Sequence, residues 1–134
     1  MVSSIHKNLE VGDFMKIQES AENYLETILS LQKEKGTVRS IDIANELGFS
    51  KPSVSVAMKN LRENDYIQID DGGHITLLPK GLVIAEKIFE RHTLLTEWLI
   101  SIGVSPEVAA EDACRMEHVV SEESFAAIKK LASK

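Results

Sequence analysis

Two short helical segments joined by a glycine-containing turn constrain the fold of this chain more than any other part of its sequence. Residues 40–47 repeat apolar side chains at helical spacing. Gly48 can adopt the positive φ of a tight turn, and Ser50 followed by Pro52 is a typical start for a second helix. The side chains that we expect to face inward in the first helix are Ile41, Ala44 and Leu47. This succession predicts a helix-turn-helix.

A β-hairpin is predicted directly after the second helix. Residues 66–69 and 74–77 alternate apolar and polar side chains, and the residues between them read Asp-Asp-Gly-Gly, a typical turn sequence. A hairpin in this place is a wing, so the first half of the chain is predicted to be a winged helix-turn-helix. Asp70 and Asp71 would repel phosphate, so we do not expect the wing to grip a nucleic-acid backbone strongly.

The helix-turn-helix predicts a double-stranded DNA operator as partner, because the second helix of this motif enters the major groove with its N-terminal residues on base edges. The net charge of −6 argues mildly against nucleic acid, but basic and acidic residues roughly balance in the segment 33–65. The predicted DNA-binding residues are Arg39, Ser50, Lys51, Pro52, Ser53, Ser55 and Lys59. A winged helix that serves only protein contacts is the alternative.

Helical periodicity continues on both sides of this module. A helix is predicted from an N-cap at Ser20 to Gly36, whereas residues 1–19 show no clean apolar periodicity. A long helix is predicted from Pro79 to Ile102. Two shorter helices with N-caps at Ser105 and Ser121 follow, and the side chains expected to face inward on the last one are Phe125, Ile128 and Leu131.

Three helices with surplus apolar surface after a DNA-binding module predict a homodimer, because helix-turn-helix proteins read two half-sites as symmetric dimers. The predicted fold class is mainly α, with a winged helix-turn-helix DNA-binding domain followed by an α-helical dimerisation domain. The predicted domain bounds are 1–19 for an N-terminal extension, 20–78 for the winged helix-turn-helix and 79–134 for the helical domain.

Composition and the lengths of apolar runs predict a cytoplasmic protein without a membrane partner. Hydrophobic residues make up 43% and charged residues 27% of the 134 residues, as in ordinary globular domains. No apolar run approaches the roughly 20 residues that span a bilayer, and the N-terminus lacks a signal-peptide profile. A single cysteine cannot form an internal disulfide, which suits a reducing compartment.

Cys114, Glu117 and His118 offer a thiolate, a carboxylate and an imidazole within about one helical turn. Positions i, i+3 and i+4 share a helix face, and all three groups bind transition metals. His92 fills the one polar gap in the apolar stripe of the long helix. Taken alone, chance proximity and a hydrogen-bonded core histidine are the more frequent explanations of such residues.

The order of these elements and two residue strings resemble a known family. A winged helix is followed by a long helix with Arg91-His92 and then by the string Cys-Arg-Met-Glu-His at 114–118. This arrangement, with Glu-Asn-Tyr-Leu-Glu-Thr-Ile at 22–28, resembles the diphtheria toxin repressor family of metal-dependent transcription regulators, which includes iron-dependent repressors and manganese transport regulators. The resemblance covers about residues 18–131 and is to the shorter, two-domain members.

The resemblance implies a metal-dependent regulator, a repressor of metal-uptake genes with Fe(II) or Mn(II) as co-repressor; Co, Ni and Zn are expected to bind in vitro. The residues at the family's ligand positions are Asn23, Glu26, His92, Cys114, Glu117 and His118. Cys114 is similar to the iron type and Glu26 to the manganese type, whereas Asn23 departs from both. Thr96 and Ala110 replace ligands of the iron type's ancillary site, so the resemblance does not place a second metal.

Two other function classes remain open at this point. A winged-helix regulator that responds to a small organic ligand would use His92 and the 114–118 string as core residues. An enzyme could use Cys114 as nucleophile and His118 as base, but the sequence offers no identifiable oxyanion site or phosphate loop. We therefore predict a regulator and not an enzyme.

Overall fold

The fold is seen in a computed structural model that describes residues 2–133, with side chains from Gln18 onward. The elements are α1 (Val2–Lys35), α2 (Ser40–Leu47), α3 (Lys51–Glu63), β1 (Ile67–Ile69), β2 (Ile75–Leu77), α4 (Pro79–Ser101), α5 (Pro106–Val119) and α6 (Glu122–Ala132). The chain divides into two compact units after Ala85, so α4 begins in the first unit and ends in the second. The prediction of a mainly α fold with a winged helix-turn-helix is confirmed. No helix among the described residues is long and apolar enough to span a membrane.

The first helix begins earlier than the sequence predicted. Ser20 was expected to be its N-cap, but α1 spans Val2–Lys35 and Ser20 lies in its interior. A capping side chain is required only where a helix starts, and adding residues to an existing helix costs little compared with nucleating a new one. The missing apolar periodicity before Ser20 therefore did not mark a helix end. The predicted end at Gly36 is correct, since this residue has φ +88° and its N–H donates to Gln32 O at 2.9 Å.

The turn of the helix-turn-helix forms as the sequence predicted. Gly48 caps α2 with φ 70°, and its N–H donates to Ala44 O at 2.9 Å. Ser50 caps α3, and its Oγ accepts a hydrogen bond from Ser53 N at 3.3 Å. The predicted inward face of α2 is partly wrong, however. Ile43 is fully buried whereas Ile41 is 38% exposed.

The reason for this error is the length of α2. Helical spacing within eight residues allows two apolar faces, and the pattern alone does not choose between them. Ile43 and Ala44 are buried, so the buried stripe shares Ala44 with the predicted one but has Ile43 in place of Ile41. Leu47 is half-buried.

The wing is the predicted hairpin. Strands β1 and β2 are antiparallel, with Ile67 opposite Leu77 and Ile69 opposite Ile75. At its tip, Oδ1 of Asp70 accepts hydrogen bonds from the N–H groups of Gly72 and His74 at 2.9 and 2.8 Å. The bond from His74 is the main cause that holds the pKa of Asp70 below its usual range. This aspartate is therefore anionic at neutral pH, and its role in the turn is to accept backbone hydrogen bonds.

The core of the first unit joins α1, α2, α3 and the wing. Its fully buried side chains include Leu25, Ile28, Val38, Ile43, Val54, Met58 and Ile67. Gly81, in the first turn of α4, is required by a close approach of two backbone segments. A Cβ at this position would lie 2.2 Å from the carbonyl oxygen of Tyr66, whose backbone also accepts a hydrogen bond from Leu78 N at 3.0 Å.

The second unit consists of the rest of α4 with α5 and α6. Ser105 stands at the N-cap of α5 without a side-chain capping bond, and Ser121 caps α6 by accepting from Ser124 N at 3.1 Å. On α6 the predicted inward residues Phe125 and Ile128 are half-buried, but Leu131 is 59% exposed, so its prediction is wrong. Leu131 lies in the last turn of α6, where few described residues follow that could cover it. Apolar periodicity predicts which face a residue lies on but not whether other residues cover that face.

Candidate functional site

Helix α5 places one carboxylate in the core of the second unit. Ala109, Ala113 and Glu117 follow one another at a spacing of four residues, and all three are fully buried. Two small side chains thus line the stripe that ends in a carboxylate. Burying an ionised carboxylate is costly unless hydrogen bonds or a cation compensate for the lost water. Glu117 is therefore the residue of this unit whose burial requires a functional or structural explanation.

Two imidazoles stand beside this carboxylate. His92 Nδ1 on α4 lies 2.8 Å from Glu117 Oε2, and His118 Nε2 lies 3.4 Å from Glu117 Oε1. The side chain of His118 is 9% exposed and that of His92 is 34% exposed. Oε1 of Glu117 is buried and has no hydrogen-bond partner among the described residues. The carboxylate thus has one oxygen in contact with His92 and one that lies beside His118 without a hydrogen bond from the described residues.

The donor set fits a divalent transition metal. Carboxylate oxygen and imidazole nitrogen are ligands that Mn(II) and Fe(II) accept, and a neutral imidazole presents the lone pair that ligation requires. An unsatisfied buried carboxylate oxygen beside two imidazoles is the arrangement in which a cation would remove a desolvation cost. His92, Glu117 and His118 could therefore hold a metal ion.

Cys114, the third member of the string on α5, is exposed, whereas Glu117 three residues later is fully buried. Successive helical positions differ by about 100°, so residues three apart are displaced by about 60° around the axis. The thiol therefore belongs to the solvent-facing edge of the helix. The structure thus places the imidazoles of His92 and His118 each beside the Glu117 carboxylate, whereas Cys114 is exposed.

The remaining predicted ligands lie on α1 in the first unit. Asn23 and Glu26 are both half-buried. The backbone carbonyl of Asn23 accepts a hydrogen bond from Thr27 Oγ1 at 2.8 Å, which leaves its side-chain amide for other partners. The amide oxygen and the carboxylate are of suitable chemistry for Mn(II) or Fe(II). Their role as ligands stays a prediction.

Sequence reasoning gave no separate role to Arg91. This residue is 5% exposed and donates through Nη1 to the carbonyl oxygens of Glu117 and Val120. The signal was present in the sequence, because Arg91 is a charged residue directly beside His92 on a helix whose neighbouring turns are apolar. A basic residue at such a position is often exposed to solvent, and the sequence alone does not show that Arg91 contacts the C-terminal end of α5.

The residues predicted to contact DNA lie on an accessible surface of the first unit. Arg39, Ser50, Lys51, Pro52, Ser53, Ser55 and Lys59 are all exposed. Ser50 Oγ donates to Ser53 Oγ at 2.8 Å and also caps α3, so Ser50 has a structural task besides any contact with DNA. Val56, which is 62% exposed, adds an apolar group to the same helix. A helix with short polar, basic and apolar side chains on its exposed face can reach phosphates and base edges.

Comparisons with known families agree with both halves of this description. Residues 16–75 match the family model "Iron dependent repressor, N-terminal DNA binding domain". Residues 78–134 match the model "Iron dependent repressor, metal binding and dimerisation domain". The two matches fall on the winged helix and on the helices that carry His92, Glu117 and His118.

Curated relatives and solved structures are similar along most of the chain. Transcriptional regulator MntR of Salmonella typhimurium is 38% identical over 108 residues, which are 81% of this chain and 69% of the relative. MntR of Escherichia coli O157:H7 is 36% identical over 97% of this chain and 87% of the relative. Among solved structures, a manganese-dependent transcriptional repressor in complex with manganese is 27% identical with a TM-score of 0.76, and the manganese regulator SloR is 25% identical with a TM-score of 0.74. This chain covers 84% of its own length in both matches but only 52% and 53% of those two proteins.

Proposed function

Because this chain belongs to the family of iron-dependent repressors, which are metal-dependent transcriptional regulators and not enzymes, we propose that it is a repressor that binds operator DNA when a divalent metal ion is bound. The regulated genes are proposed to be those of metal uptake, since a co-repressing metal then limits its own import. The observation that carries this proposal is the buried Glu117 carboxylate, which lies next to the imidazoles of His92 and His118 and whose Oε1 has no hydrogen bond from the described residues.

The proposed ligands in the second unit are His92, Glu117 and His118. A bound divalent ion would supply the positive charge that the buried carboxylate requires. His92 orients Glu117 through the 2.8 Å contact to Oε2 and can exchange this hydrogen bond for ligation. Cys114 is proposed only as an outer or conditional ligand, because its thiol is exposed while Glu117 is buried. Asn23 and Glu26 complete the proposed set on the strength of the sequence resemblance.

Mn(II) is proposed as the physiological ion, with Fe(II) as the competing choice. The buried donors of the second unit are nitrogen and oxygen, which suit Mn(II), and the soft thiolate that would favour later metals is exposed. Two of the solved structures similar to this chain are described as manganese-dependent or manganese regulators. Zn(II) and Co(II) are expected to bind in vitro at least as tightly, because affinity generally rises along the Irving–Williams order.

DNA binding is proposed to use the exposed N-terminal part of α3 together with Arg39. Lys51 and Lys59 would neutralise phosphates, and Ser53, Ser55 and Pro52 would meet base edges and the thymine methyl groups. A homodimer formed through the second unit would present two recognition helices to two half-sites. Metal would favour the DNA-competent arrangement if ligands from both units must come together, and by linkage DNA would then tighten metal binding.

The experiment is a DNA-binding titration by fluorescence anisotropy. A labelled duplex is first selected from a random pool with the protein, once in Mn(II) and once in a chelator. The proposal expects enrichment and tight binding only with Mn(II), and loss of that dependence in Glu117→Ala. Equal DNA binding in chelator, unchanged by Glu117→Ala, would instead favour a regulator that responds to a non-metal ligand.

A further inference from the structure

Arg91 binds the C-terminal end of α5 from inside the second unit. Its Nη1 donates to the carbonyl oxygen of Glu117 at 3.1 Å and to that of Val120 at 2.5 Å. The last carbonyls of a helix have no partner within the helix, and a positive charge is favourable at that end. Two charge-assisted hydrogen bonds therefore fix the last turn of α5 and the residue after it.

The same guanidinium contacts the next helix. Its Cζ lies 5.1 Å from the centre of the Phe125 ring on α6. The pKa of Glu122 at the start of α6 is lowered chiefly by a hydrogen bond from Lys87, and the charge of Arg91 adds to this effect. One buried side chain of α4 thus holds the end of α5 and the first turns of α6 in a defined place.

Glu117 is consequently held at two points by consecutive residues of α4. Arg91 binds its backbone carbonyl, and His92 Nδ1 lies 2.8 Å from its Oε2. Helix ends fray, and both Glu117 and His118 lie in the last turn of α5. Without the bonds from Arg91, the backbone that carries these two side chains would be free to move with that turn.

The way in which Arg91 is bound is unusual for a residue with stability as its only role. A buried guanidinium commonly pairs with a carboxylate, but this one donates to backbone carbonyls, and Oε1 of Glu117 has no hydrogen bond from the described residues. Its own Nε is buried and also has no hydrogen-bond partner among the described residues. Buried polar groups without hydrogen bonds cost stability. The arrangement therefore holds the end of α5 in place while Arg91 Nε and Glu117 Oε1 lack hydrogen bonds from the described residues.

We propose that Arg91 is a positioning residue of the metal centre: it binds the end of α5 and thereby sets where the Glu117 carboxylate and the His118 imidazole stand for a divalent cation. The inference rests on the proposed function, because it assumes that these two side chains are ligands. Arg91 does not itself touch the cation. Its bonds to carbonyl groups fix the Glu117 backbone while leaving the negative charge of the carboxylate for the metal.

The test compares Arg91→Met with Lys87→Met in the 134-residue chain. Lys87 lies one turn earlier on α4 and is exposed, and its Nζ bonds Glu122 at 2.6 Å, so it provides a matched loss of one basic side chain. Mn(II) affinity is measured by calorimetric titration, and the visible absorption of the Co(II) form is recorded at saturating Co(II). Circular dichroism and thermal melts of the metal-free proteins report folding.

Arg91→Met is expected to weaken Mn(II) binding about 10- to 100-fold, as removal of residues that orient ligands typically does. Its saturated Co(II) spectrum is expected to differ from that of the wild type, because the ligands are misplaced even when the site is full. Lys87→Met should leave affinity within about threefold, since exposed ion pairs contribute little, and should leave the spectrum unchanged. Arg91→Lys keeps the charge without the planar fork and should fall between the two.

The possible results separate the two proposals. Wild-type protein that binds no Mn(II) or Co(II) overturns the proposed function, and with it this inference. Tight binding by the wild type that Arg91→Met retains, with an unchanged Co(II) spectrum, overturns only the role of Arg91. A melt lowered to the same degree in Arg91→Met and Lys87→Met, with both spectra unchanged, likewise reduces Arg91 to a stabilising residue.

If Arg91→Met does not fold, Phe125→Leu decides the question. This change removes the ring from beneath the guanidinium but keeps Arg91 and an apolar side chain of similar reach. Loss of one cation–π contact is expected to weaken Mn(II) binding about three- to fivefold, with a change of the Co(II) spectrum in the same direction. A wild-type affinity together with a wild-type spectrum would contradict the positioning role.

Discussion

The exposed face of α3 and the buried stripe of α5 differ in how far their charged side chains are exposed to solvent. On α3, Lys51 and Lys59 are exposed and stay fully hydrated until a partner arrives. On α5, Glu117 is fully buried; one of its oxygens is hydrogen-bonded to His92, and the other has no hydrogen-bond partner in the part of the chain that the structure describes. The first surface costs the fold little, whereas the second is maintained against a desolvation penalty.

This difference predicts how function and stability are coupled in each region. Substitutions on the exposed face of α3 should change DNA binding and leave folding nearly unaltered. Replacing Glu117 by a neutral side chain of the same shape should change metal binding strongly and leave the metal-free protein about as stable or more stable, because an ionised carboxylate is costly to bury. The two surfaces therefore call for different measurements, and Glu117→Gln and Lys51→Ala address one surface each.

Glu117→Gln should produce the largest effect. The amide keeps the shape of the side chain but removes the negative charge that a cation requires. Mn(II) affinity should therefore fall by about 100-fold or more, because losing a ligand's charge should cost at least as much as losing a residue that only orients a ligand. The free energy of unfolding of the metal-free protein should stay within about 1 kcal/mol of the wild type or rise, because a neutral amide is less costly to bury. Calorimetric titration and urea unfolding measure the two quantities.

Glu111→Gln is the matched control, since Glu111 is an exposed residue of the same helix. It should leave both quantities unchanged. A loss of folding stability in Glu117→Gln without a loss of Mn(II) affinity would break the comparison, because Glu117 would then be a structural core residue.

Gly81→Ala should produce the second-largest effect, and it tests the packing of the first unit rather than either of the two surfaces. A Cβ at this position would meet the carbonyl oxygen of Tyr66 at 2.2 Å, and backbone cannot move aside as a flexible side chain can. We expect a loss of about 1–3 kcal/mol in the free energy of unfolding, as for overpacked cores. Urea unfolding monitored by circular dichroism measures it.

Gly48→Ala serves as a comparison for this loss, because a Cβ there meets open space and only the positive φ of 70° is strained. It should cost about 1–2 kcal/mol. If Gly81→Ala is as stable as the wild type, then the start of α4 does not approach the backbone of Tyr66 as closely as described.

Lys51→Ala should have a smaller and purely functional effect. Loss of one phosphate contact per protomer should weaken DNA binding several-fold for all sequences and should reduce the slope of log affinity against log salt by about one per protomer. The free energy of unfolding should stay within about 0.5 kcal/mol, because the side chain is exposed. Anisotropy titrations at several salt concentrations give the slope. A selective loss on one DNA sequence would indicate base contact instead.

Asp70→Asn should have the smallest effect, and its pH dependence is the informative part. The pKa of Asp70 is held below its usual range, mainly by the hydrogen bond from His74 N, so its charged form contributes stability above the unfolded pKa. That contribution is lost as pH falls through the lowered folded pKa. The amide of the variant cannot titrate, so the difference in unfolding free energy between variant and wild type should be present at neutral pH and vanish in acid. A difference that grows on acidification would contradict this assignment.

Much of the first unit could be predicted because its signals are local. Gly48, Ser50 and the Asp-Gly turn after β1 specify caps and turns by their own backbone chemistry, and the structure contains them as predicted. The wrong or missing predictions for this unit concern features that local signals do not specify. The inward position predicted for Ile41 is wrong because a helix of eight residues does not define its buried face. The sequence does not predict the need for Gly81, because that need comes from a contact with the distant Tyr66 backbone.

In the candidate metal centre, residue identity could be predicted but burial could not. The i, i+3, i+4 spacing placed Cys114, Glu117 and His118 on one helix face, yet it did not show that Glu117 is fully buried and Cys114 exposed. That distinction depends on which side of α5 meets α4, which is a tertiary property. The hydrogen bonds from Arg91 to the end of α5 could not be predicted from the sequence either, because they join residues that are 26 and 29 positions apart.

Metal binding and DNA binding are proposed to be coupled in one molecule. The most direct test measures the operator affinity with and without saturating Mn(II), and the Mn(II) affinity with and without saturating operator. Linkage requires the two ratios to be equal, and we expect each to lie at about 5- to 150-fold or above, with both falling towards one in Glu117→Gln. Ratios of one in the wild-type protein, with DNA bound equally well in the presence of a chelator, would contradict the account.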